Sequence, residues 1–143
     1  MTVPEDLLER YVDLWNRHDV EGVAALYHDQ AERSSAIGGV RGKQAIHETV
    51  SRFLAAFPDS RIETRNRASS GEVLLYEVVD VGHHTGPLST PSGLALGSGL
   101  PFRIEAAGVM VIRDSLIVAE RVYFDITDLF RQLGLTGGAT TSW

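Results

Sequence analysis

The spacing of apolar residues changes once along this chain, and that change most limits how the chain can fold. From residue 4 to 57, apolar residues recur every three or four positions, as on one face of an α-helix, whereas from 61 to 124 they tend to alternate. Helices followed by a run of strands are typical of an α+β domain. The length of 143 residues fits a single domain, which we assign to residues 1–135, with a mobile tail at 136–143.

The predicted elements explain how such a domain would close. Three helices are predicted at residues 4–18, 20–27 and 43–57, and four strands at residues 61–68, 72–84, 101–112 and 116–124. A loop rich in Gly, Pro and Ser lies at 87–100, and Asp125 can cap a last short helix that Gly134 ends. A strongly curved antiparallel sheet packed on the three N-terminal helices would form a cone with an apolar pocket at its wide end.

Composition excludes several classes of protein. The chain has no cysteine, so it has no disulfides and no thiolate metal sites. Its formal charge of −6 and its scattered Lys and Arg residues argue against nucleic acid as a partner. The start of the chain lacks the features of a signal peptide, and no apolar run approaches the roughly 18 residues of a membrane helix. We therefore expect a cytoplasmic protein that does not bind membranes.

The segment VVDVGHHTGPL, at residues 78–88, places an acid and two adjacent histidines on a predicted strand. Side chains alternate between the two faces of a strand, so Asp80 and His84 share one face and His83 points to the other. Adjacent histidines that point apart cannot bind one metal ion together, and the remaining histidines show no ligand spacing. We predict no metal site.

The face that carries Asp80 is a candidate pocket wall. On the last strand the same alternation places Glu120, Val122 and Phe124 together, and Tyr11 and Trp15 could close the pocket from the first helix. Asp80, His84 and Glu120 are then the candidate catalytic residues, because a carboxyl group in an apolar cavity shifts toward its neutral form and a histidine titrates near neutral pH.

Each candidate also has a purely structural interpretation. Asp80 would be solvated if the strand were turned the other way. His84 could hydrogen-bond the adjacent Thr85-Gly86-Pro87 turn. Glu120 could pair with an arginine such as Arg103. Tyr11 and Trp15 lie on an apolar helix stripe, where aromatic residues usually belong to the core.

Several stretches of the sequence resemble the SnoaL-like polyketide cyclases, a group within the nuclear transport factor 2-like superfamily. They are LWNRHDVEGVAALYHD, VRGKQAI, AAFPDSRIE, GHHTGPL and YFDITDLFRQLG, which together span nearly the whole chain. The resemblance implies a conical, dimeric small-molecule enzyme without a cofactor. Relatives of this kind include polyketide cyclases, ketosteroid isomerases and limonene-epoxide hydrolases.

The catalytic residues of these relatives carry over only in part. The cyclases have an acidic residue where Val122 stands and a histidine near Gly108. The isomerases have a phenol donor that matches Tyr11, but their catalytic aspartate falls at or near Ser35. No complete catalytic set of either group is therefore present.

The epoxide hydrolases match at one position. Their arginine and two aspartates fall on Val78, Asp80 and Val122, so only Asp80 is retained. By the same resemblance, the strand before the last one contributes four residues to the pocket wall: Ile104, Ala106, Gly108 and Met110.

We expect an acid–base enzyme that acts on a hydrophobic, oxygenated small molecule of polyketide or terpenoid type, by cyclisation, isomerisation or epoxide opening. Asp80 would be the leading acid or base, supported by His84 and Glu120. The alternative is a non-catalytic module of the same fold that binds a lipophilic ligand or dimerises, because Val78, Gly108 and Val122 are unreactive. We also expect a homodimer.

Overall fold

A computed structural model describes residues 4–135 of the protein. This part of the chain contains four helices: α1 Pro4–Asn16, α2 Val20–Ala24, α3 Lys43–Ala56 and α4 Ile126–Gln132. It contains eight strands: β1 Tyr27–Ser35, β2 Gly38–Arg41, β3 Arg61–Ser70, β4 Val73–His83, β5 Leu88–Thr90, β6 Gly93–Ala95, β7 Pro101–Arg113 and β8 Leu116–Tyr123. The predicted α+β class is confirmed, and the tail predicted at 136–143 lies outside the described residues.

Six of the strands form one sheet in the order β2-β1-β8-β7-β4-β3. Neighbouring strands are antiparallel except β1 and β8, which run parallel. The prediction of a four-stranded, wholly antiparallel sheet is therefore wrong in both respects. Irregular register in three strand pairs bends the sheet. β1 escapes prediction because its sequence YHDQAERSS is polar and buries only Tyr27 and Ala31 fully.

The loop predicted between β4 and β7 contains regular structure. β5 and β6 pair there as a separate antiparallel hairpin. Its apolar side chains are not all covered, since Leu94 is 66% exposed and Leu96, just after β6, is 78% exposed. The hairpin therefore presents apolar surface beside the main sheet.

Helices α1 and α3 cover the inner face of the sheet. α1 buries Leu7, Leu8, Tyr11 and Trp15 on one stripe, as predicted. An aromatic row joins the two helices, because the Trp15 ring lies 6.0 Å from that of Tyr11 and 5.6 Å from that of Phe53. Burying aromatic rings in this way contributes much of the stabilisation of a small core.

Two predictions about helix ends are confirmed at α4. The Asp125 carboxylate accepts a hydrogen bond from the backbone N–H of Asp128 at 2.9 Å, which caps the helix. Gly134 follows with a φ of 74°, a left-handed conformation that glycine adopts without strain.

The outer face of the sheet is partly apolar. Val73, Leu75 and Val81 on β4 are exposed there, as is Tyr123 on β8. Within residues 4–135, no helix is both long and apolar enough to cross a membrane.

Candidate active site

A cavity lies between the inner face of the sheet and helices α1 and α3. It holds about 740 Å³ of space between atoms, a figure that includes the open space at its mouth. Most of its lining is aliphatic or aromatic. Seven residues assigned to the pocket from the sequence line it: Tyr11, Trp15, Val78, Ile104, Ala106, Val122 and Phe124.

Asp80 lines this cavity and is held by a short chain of hydrogen bonds. The Ser60 hydroxyl donates to Asp80 Oδ1 at 2.7 Å, and Trp15 Nε1 donates to the Ser60 hydroxyl oxygen at 3.1 Å. An indole N–H can only donate, so the one proton of Ser60 must go to Asp80. Asp80 Oδ2 has no hydrogen-bond partner among the described residues. The carboxyl is therefore fixed by one oxygen and open to the cavity through the other.

Burial changes the acidity of Asp80. The residue is 5% exposed, and this burial raises the pKa of its carboxyl from 3.8 to about 7. The Ser60 hydrogen bond opposes the rise in pKa, and the negative charge of Asp59 adds to it. Asp80 is therefore an acid that loses its proton near neutral pH.

Ser60 is itself fixed from the end of α1. His18 adopts a left-handed conformation with a φ of 58°, and its Nε2 lies 2.9 Å from the Ser60 carbonyl oxygen. A carbonyl can only accept, so Nε2 carries the hydrogen. The end of α1 thus holds the main chain of the residue that orients Asp80.

Glu120 lies deeper in the cone and does not line the cavity, which corrects its prediction as a wall residue. Its side chain is fully buried and accepts hydrogen bonds from Tyr27, from Tyr76 at 2.6 Å and from Arg33 Nε at 3.2 Å. We call these four residues and Tyr11 the Glu120 cluster. Both carboxylate oxygens of Glu120 are occupied, so this residue is not free to transfer a proton to a ligand. Its partner is Arg33 and not Arg103.

The Glu120 cluster keeps its hydroxyls protonated. Burial is the largest cause that raises the pKa of Tyr11, to about 12, and the charge of Glu120 adds to it. The pKa values of Tyr27 and Tyr76 are raised for the same two reasons. Burial alone would lower the pKa of Arg33, but the interaction with Glu120 and the smaller ones with the three tyrosines together outweigh burial and raise that pKa. The cluster therefore consists of permanent hydrogen-bond donors around one acceptor.

Three members of the Glu120 cluster reach the cavity: Tyr11, Arg33 and Tyr76. Tyr76 precedes Asp80 by four residues on β4, which is roughly 13 Å along the strand. The cavity therefore has one ionisable carboxyl at one end and a set of donors at the other, with Val78 between them.

His84 lies away from the cavity, unlike its predicted place beside Asp80. Its Nδ1 accepts a hydrogen bond from the backbone N–H of Ser98 at 3.3 Å, and its ring packs on Phe57 at 5.7 Å. The residue is 0% exposed, and burial lowers the pKa of its imidazole, while a hydrogen bond to the backbone of Gly86 opposes that change. His84 thus ties the end of β4 to the segment after β6 and to the turn predicted at Thr85-Gly86-Pro87.

Gly108 and Met110 were assigned to the pocket wall by resemblance, and neither lines the cavity. Met110 is fully buried in the core. A side chain at Gly108 would lie 2.2 Å from the ring of Tyr76, so the glycine leaves the space that this ring occupies. The alternation of strand residues is right for both positions, but the Tyr76 ring covers Gly108 and the Met110 side chain packs in the core.

Replacing Gly108 with alanine is expected to destabilise the protein by about 1–3 kcal/mol or more, because the added methyl group displaces Tyr76 and its hydrogen bond to Glu120. Denaturant unfolding would measure the loss. Gly39→Ala is the matched control, since nothing comes closer than 3.7 Å to its added carbon. Equal stability of the two variants would contradict the packing described for Tyr76.

The sequence analysis missed Ser60 and Arg33 as members of the site. Ser60 follows Pro58 and Asp59 after α3, where the sequence signals only a turn. Arg33 lies on β1, which was not predicted, so it could not be placed opposite Glu120. Ser35, where the isomerases would have their aspartate, lines the cavity near its mouth.

Solved structures with the same fold have diverged far in sequence. A structure from Jannaschia sp. CCS1, described as a SnoaL-like polyketide cyclase, has a TM-score of 0.80 at 13% identity, covering 93% of this chain and 96% of that one. A protein of ketosteroid isomerase-like fold from Catenulispora acidiphila has a TM-score of 0.79 at 20% identity, covering 98% of this chain and 100% of that one. An LEH-like epoxide hydrolase from M. tuberculosis has a TM-score of 0.67 at 20% identity, covering 89% of this chain and 86% of that one. At these identities the likeness establishes the fold alone.

The architecture and its apolar cavity define an α+β protein with the ketosteroid isomerase-like fold of these structures. The sequence narrows this further: the family model of the SnoaL-like polyketide cyclases matches residues 5–133, and the chain belongs to that family. No functionally curated protein matches the chain at a significant level.

Proposed function

We propose that this protein is an acid–base enzyme that uses no cofactor and acts on a hydrophobic, oxygenated small molecule of polyketide or terpenoid type. The observation that carries the proposal is the Asp80 carboxyl, which is buried in an apolar cavity, held through Oδ1 and open through Oδ2. Within this class the site favours ring closure or isomerisation.

The hydrogen bonds determine where the reactive proton sits. Oδ1 of Asp80 accepts the hydrogen bond from Ser60, so we assign the proton that Asp80 gains or loses to Oδ2, which has no partner among the described residues. With a pKa of about 7, both forms of the carboxyl are well populated near neutral pH. The same oxygen can take a proton from a ligand and return it elsewhere, and positioned acid–base groups typically contribute about 10²–10⁴-fold in rate.

The number of carboxyl groups distinguishes the possible reactions. Isomerisation or ring closure next to a carbonyl moves one proton between two positions, which one alternating acid and base can do. Epoxide opening needs a group that activates water and another that protonates the leaving oxygen. Asp80 is the one carboxyl that lines the cavity in the described part of the chain, with Val78 and Val122 nearby. This favours the first two reactions.

The opposite end of the cavity is suited to the oxygen of such a ligand. Preorganised donors bind a ligand oxygen without having to reorganise. Arg33 and Tyr11 line the cavity as donors whose geometry Glu120 maintains. We assign Arg33 and Tyr11 a carbonyl oxygen of the ligand that lies away from the reacting carbon, Asp80 the proton, and His84 and Glu120 structural roles.

The dependence of turnover on pH tests this proposal. For a ketone substrate found by screening, kcat/KM should change with a single inflection near pH 7, where Asp80 titrates. A rise above pH 7 would identify Asp80 as the base in the limiting step, and a fall would identify it as the acid. A profile without an inflection near pH 7, or an unchanged inflection in Asp80→Asn, would remove Asp80 from the mechanism.

One observation favours the alternative of a lipophilic-ligand binder. Val78 and Val122 line the cavity where the resemblance assigns reactive residues, so the wall around Asp80 is otherwise unreactive. Mass spectrometry of compounds that co-purify with the protein separates the two functions. A bound compound that is still unchanged after hours with the wild-type protein would favour the binder, and conversion that requires Asp80 would favour the enzyme.

A further inference from the structure

A second depression continues outward from the mouth of the cavity. It is a groove between the β1–β2 turn, α3, the start of the β5–β6 hairpin and α4, with about 1750 Å³ of space including its open side. Five residues line both the groove and the cavity: Arg33, Ser35, Ile37, Thr49 and Phe53. The two spaces are therefore continuous, and a ligand in the cavity can extend into the groove without crossing a wall.

The groove presents apolar side chains that have no other cover in the described part of the chain. Ile37 is 49% exposed and Leu94 is 66% exposed, and both line it. Phe130 of α4 and Phe53 of α3 form apolar surface deeper in the groove. Large apolar side chains that gather at one rimmed concave surface commonly mark a binding site.

The charge of the groove is opposite to that of the whole protein. The chain carries 19 acidic and 13 basic residues, yet within residues 4–135 the groove is lined by Arg33 and Arg52 and by no carboxylate. Arg52 is 76% exposed at its side chain and lies 3.8 Å from Glu48, a contact that binds it weakly. A ligand group in this groove is therefore favoured if it carries oxygens or negative charge, and disfavoured if it is cationic.

We propose that the groove binds the distal part of the substrate, so that the substrate is an elongated, mainly apolar ketone with an oxygen-rich or anionic far end. This inference rests on the proposed function for the part of the ligand inside the cavity. The polar groups then follow one another along the ligand: Asp80 inside the cavity, Arg33 at the junction and Arg52 in the groove. The apolar stretch between them is covered by Ile37 and Leu94.

The test uses straight-chain methyl ketones that end in a carboxylate. Some are shorter and some longer than the roughly 13 Å that separates Tyr76 from Asp80 along β4. Titration calorimetry should show affinity that keeps rising beyond this length, by up to about three- to fourfold for each buried methylene. In the Leu94→Ser variant the rise should weaken beyond the length of the cavity, with short ketones unaffected, because Leu94 lines the groove and not the cavity. Leu94 is exposed, so the variant should keep its fold.

Two controls make the result specific. Leu96→Ser removes an equally exposed leucine that does not line the groove, and it should bind like the wild type. A methyl ketone of the same length with a terminal ammonium group should bind more weakly than the carboxylate, and Arg52→Gln should reduce that difference. The same dependence on length in the wild type and the Leu94→Ser variant, or equal binding of the two end groups, would overturn the proposal.

The failure of this inference can be told apart from failure of the proposed function. Calorimetry with the Asp80→Asn protein measures binding without turnover. If the affinity still rises with length in that protein while wild-type turnover does not need Asp80, the groove binds ligands and the acid–base assignment is wrong. If turnover needs Asp80 but length has no effect on affinity, the groove proposal is wrong.

Discussion

Replacing Asp80 with asparagine is expected to lower kcat/KM by about 10²–10⁴-fold and, at the same time, to stabilise the folded protein above pH 7. Asparagine keeps an oxygen that can accept the hydrogen bond from Ser60, so the site should hold its shape. It cannot take up or release the proton on the cavity side. Activity and stability should therefore change in opposite directions, as expected for a buried ionisable group kept for chemistry.

The sign of the stability change follows from the pKa of Asp80, which is 3.8 ordinarily and is raised to about 7 by burial. Between these values the folded state keeps a proton that the unfolded state has lost, so the free energy of unfolding falls as pH rises. The decrease is complete just above pH 7 and amounts to roughly 4 kcal/mol for a shift of this size. The Asp80→Asn protein avoids this loss.

Thermal unfolding at several pH values measures the difference. At about pH 8 the Asp80→Asn protein should melt on the order of 10 °C above the wild type, and near pH 4 the two should be similar. Asp114→Asn is the matched control, because Asp114 is an exposed turn residue between β7 and β8. A variant that is less stable than the wild type at pH 8 would show that the Asp80 carboxyl is solvated.

The elements with strong periodicity were predictable, and the polar ones were not. Helices α1 and α3 were predicted within two residues at each end because their apolar stripes are uninterrupted. Strands β4, β7 and β8 followed from alternation. β1 could not be found, because its partner β8 lies some ninety positions later in the chain and its own sequence is mainly polar. Because β1 was missed, the predicted site lacked Arg33, the one cationic residue that lines the cavity within residues 4–135.

For the site, alternation predicts the face of a strand and not the depth along it. Asp80, Glu120 and Met110 all point inward, as predicted, yet only Asp80 reaches the cavity. The difference arises because the cone narrows, and at its narrow end inward side chains meet one another instead of a ligand. At Gly108, for example, the ring of Tyr76 fills the space that a side chain at this position would need.

The second large effect is expected in the Glu120 cluster, where replacing Arg33 with methionine should destabilise the protein by about 3–5 kcal/mol. The Glu120 side chain is fully buried, and Arg33 Nε lies 3.2 Å from its Oε1. Without the guanidinium, the buried carboxyl group of Glu120 would have only Tyr27 and Tyr76 as donors. A buried charge without a partner costs far more than the ion pair contributes.

The double variant Arg33→Met/Glu120→Gln tests whether charge is the cause. Glutamine can still hydrogen-bond both tyrosines but carries no charge, so most of the lost stability should return, and denaturant unfolding of the two single variants and the double one measures the coupling. If Glu120→Gln restores nothing, the contribution of Arg33 is packing and not charge. Because Arg33 also faces the ligand, the restored protein should fold normally yet bind ketones more weakly, which separates its structural role from its proposed role at the carbonyl oxygen.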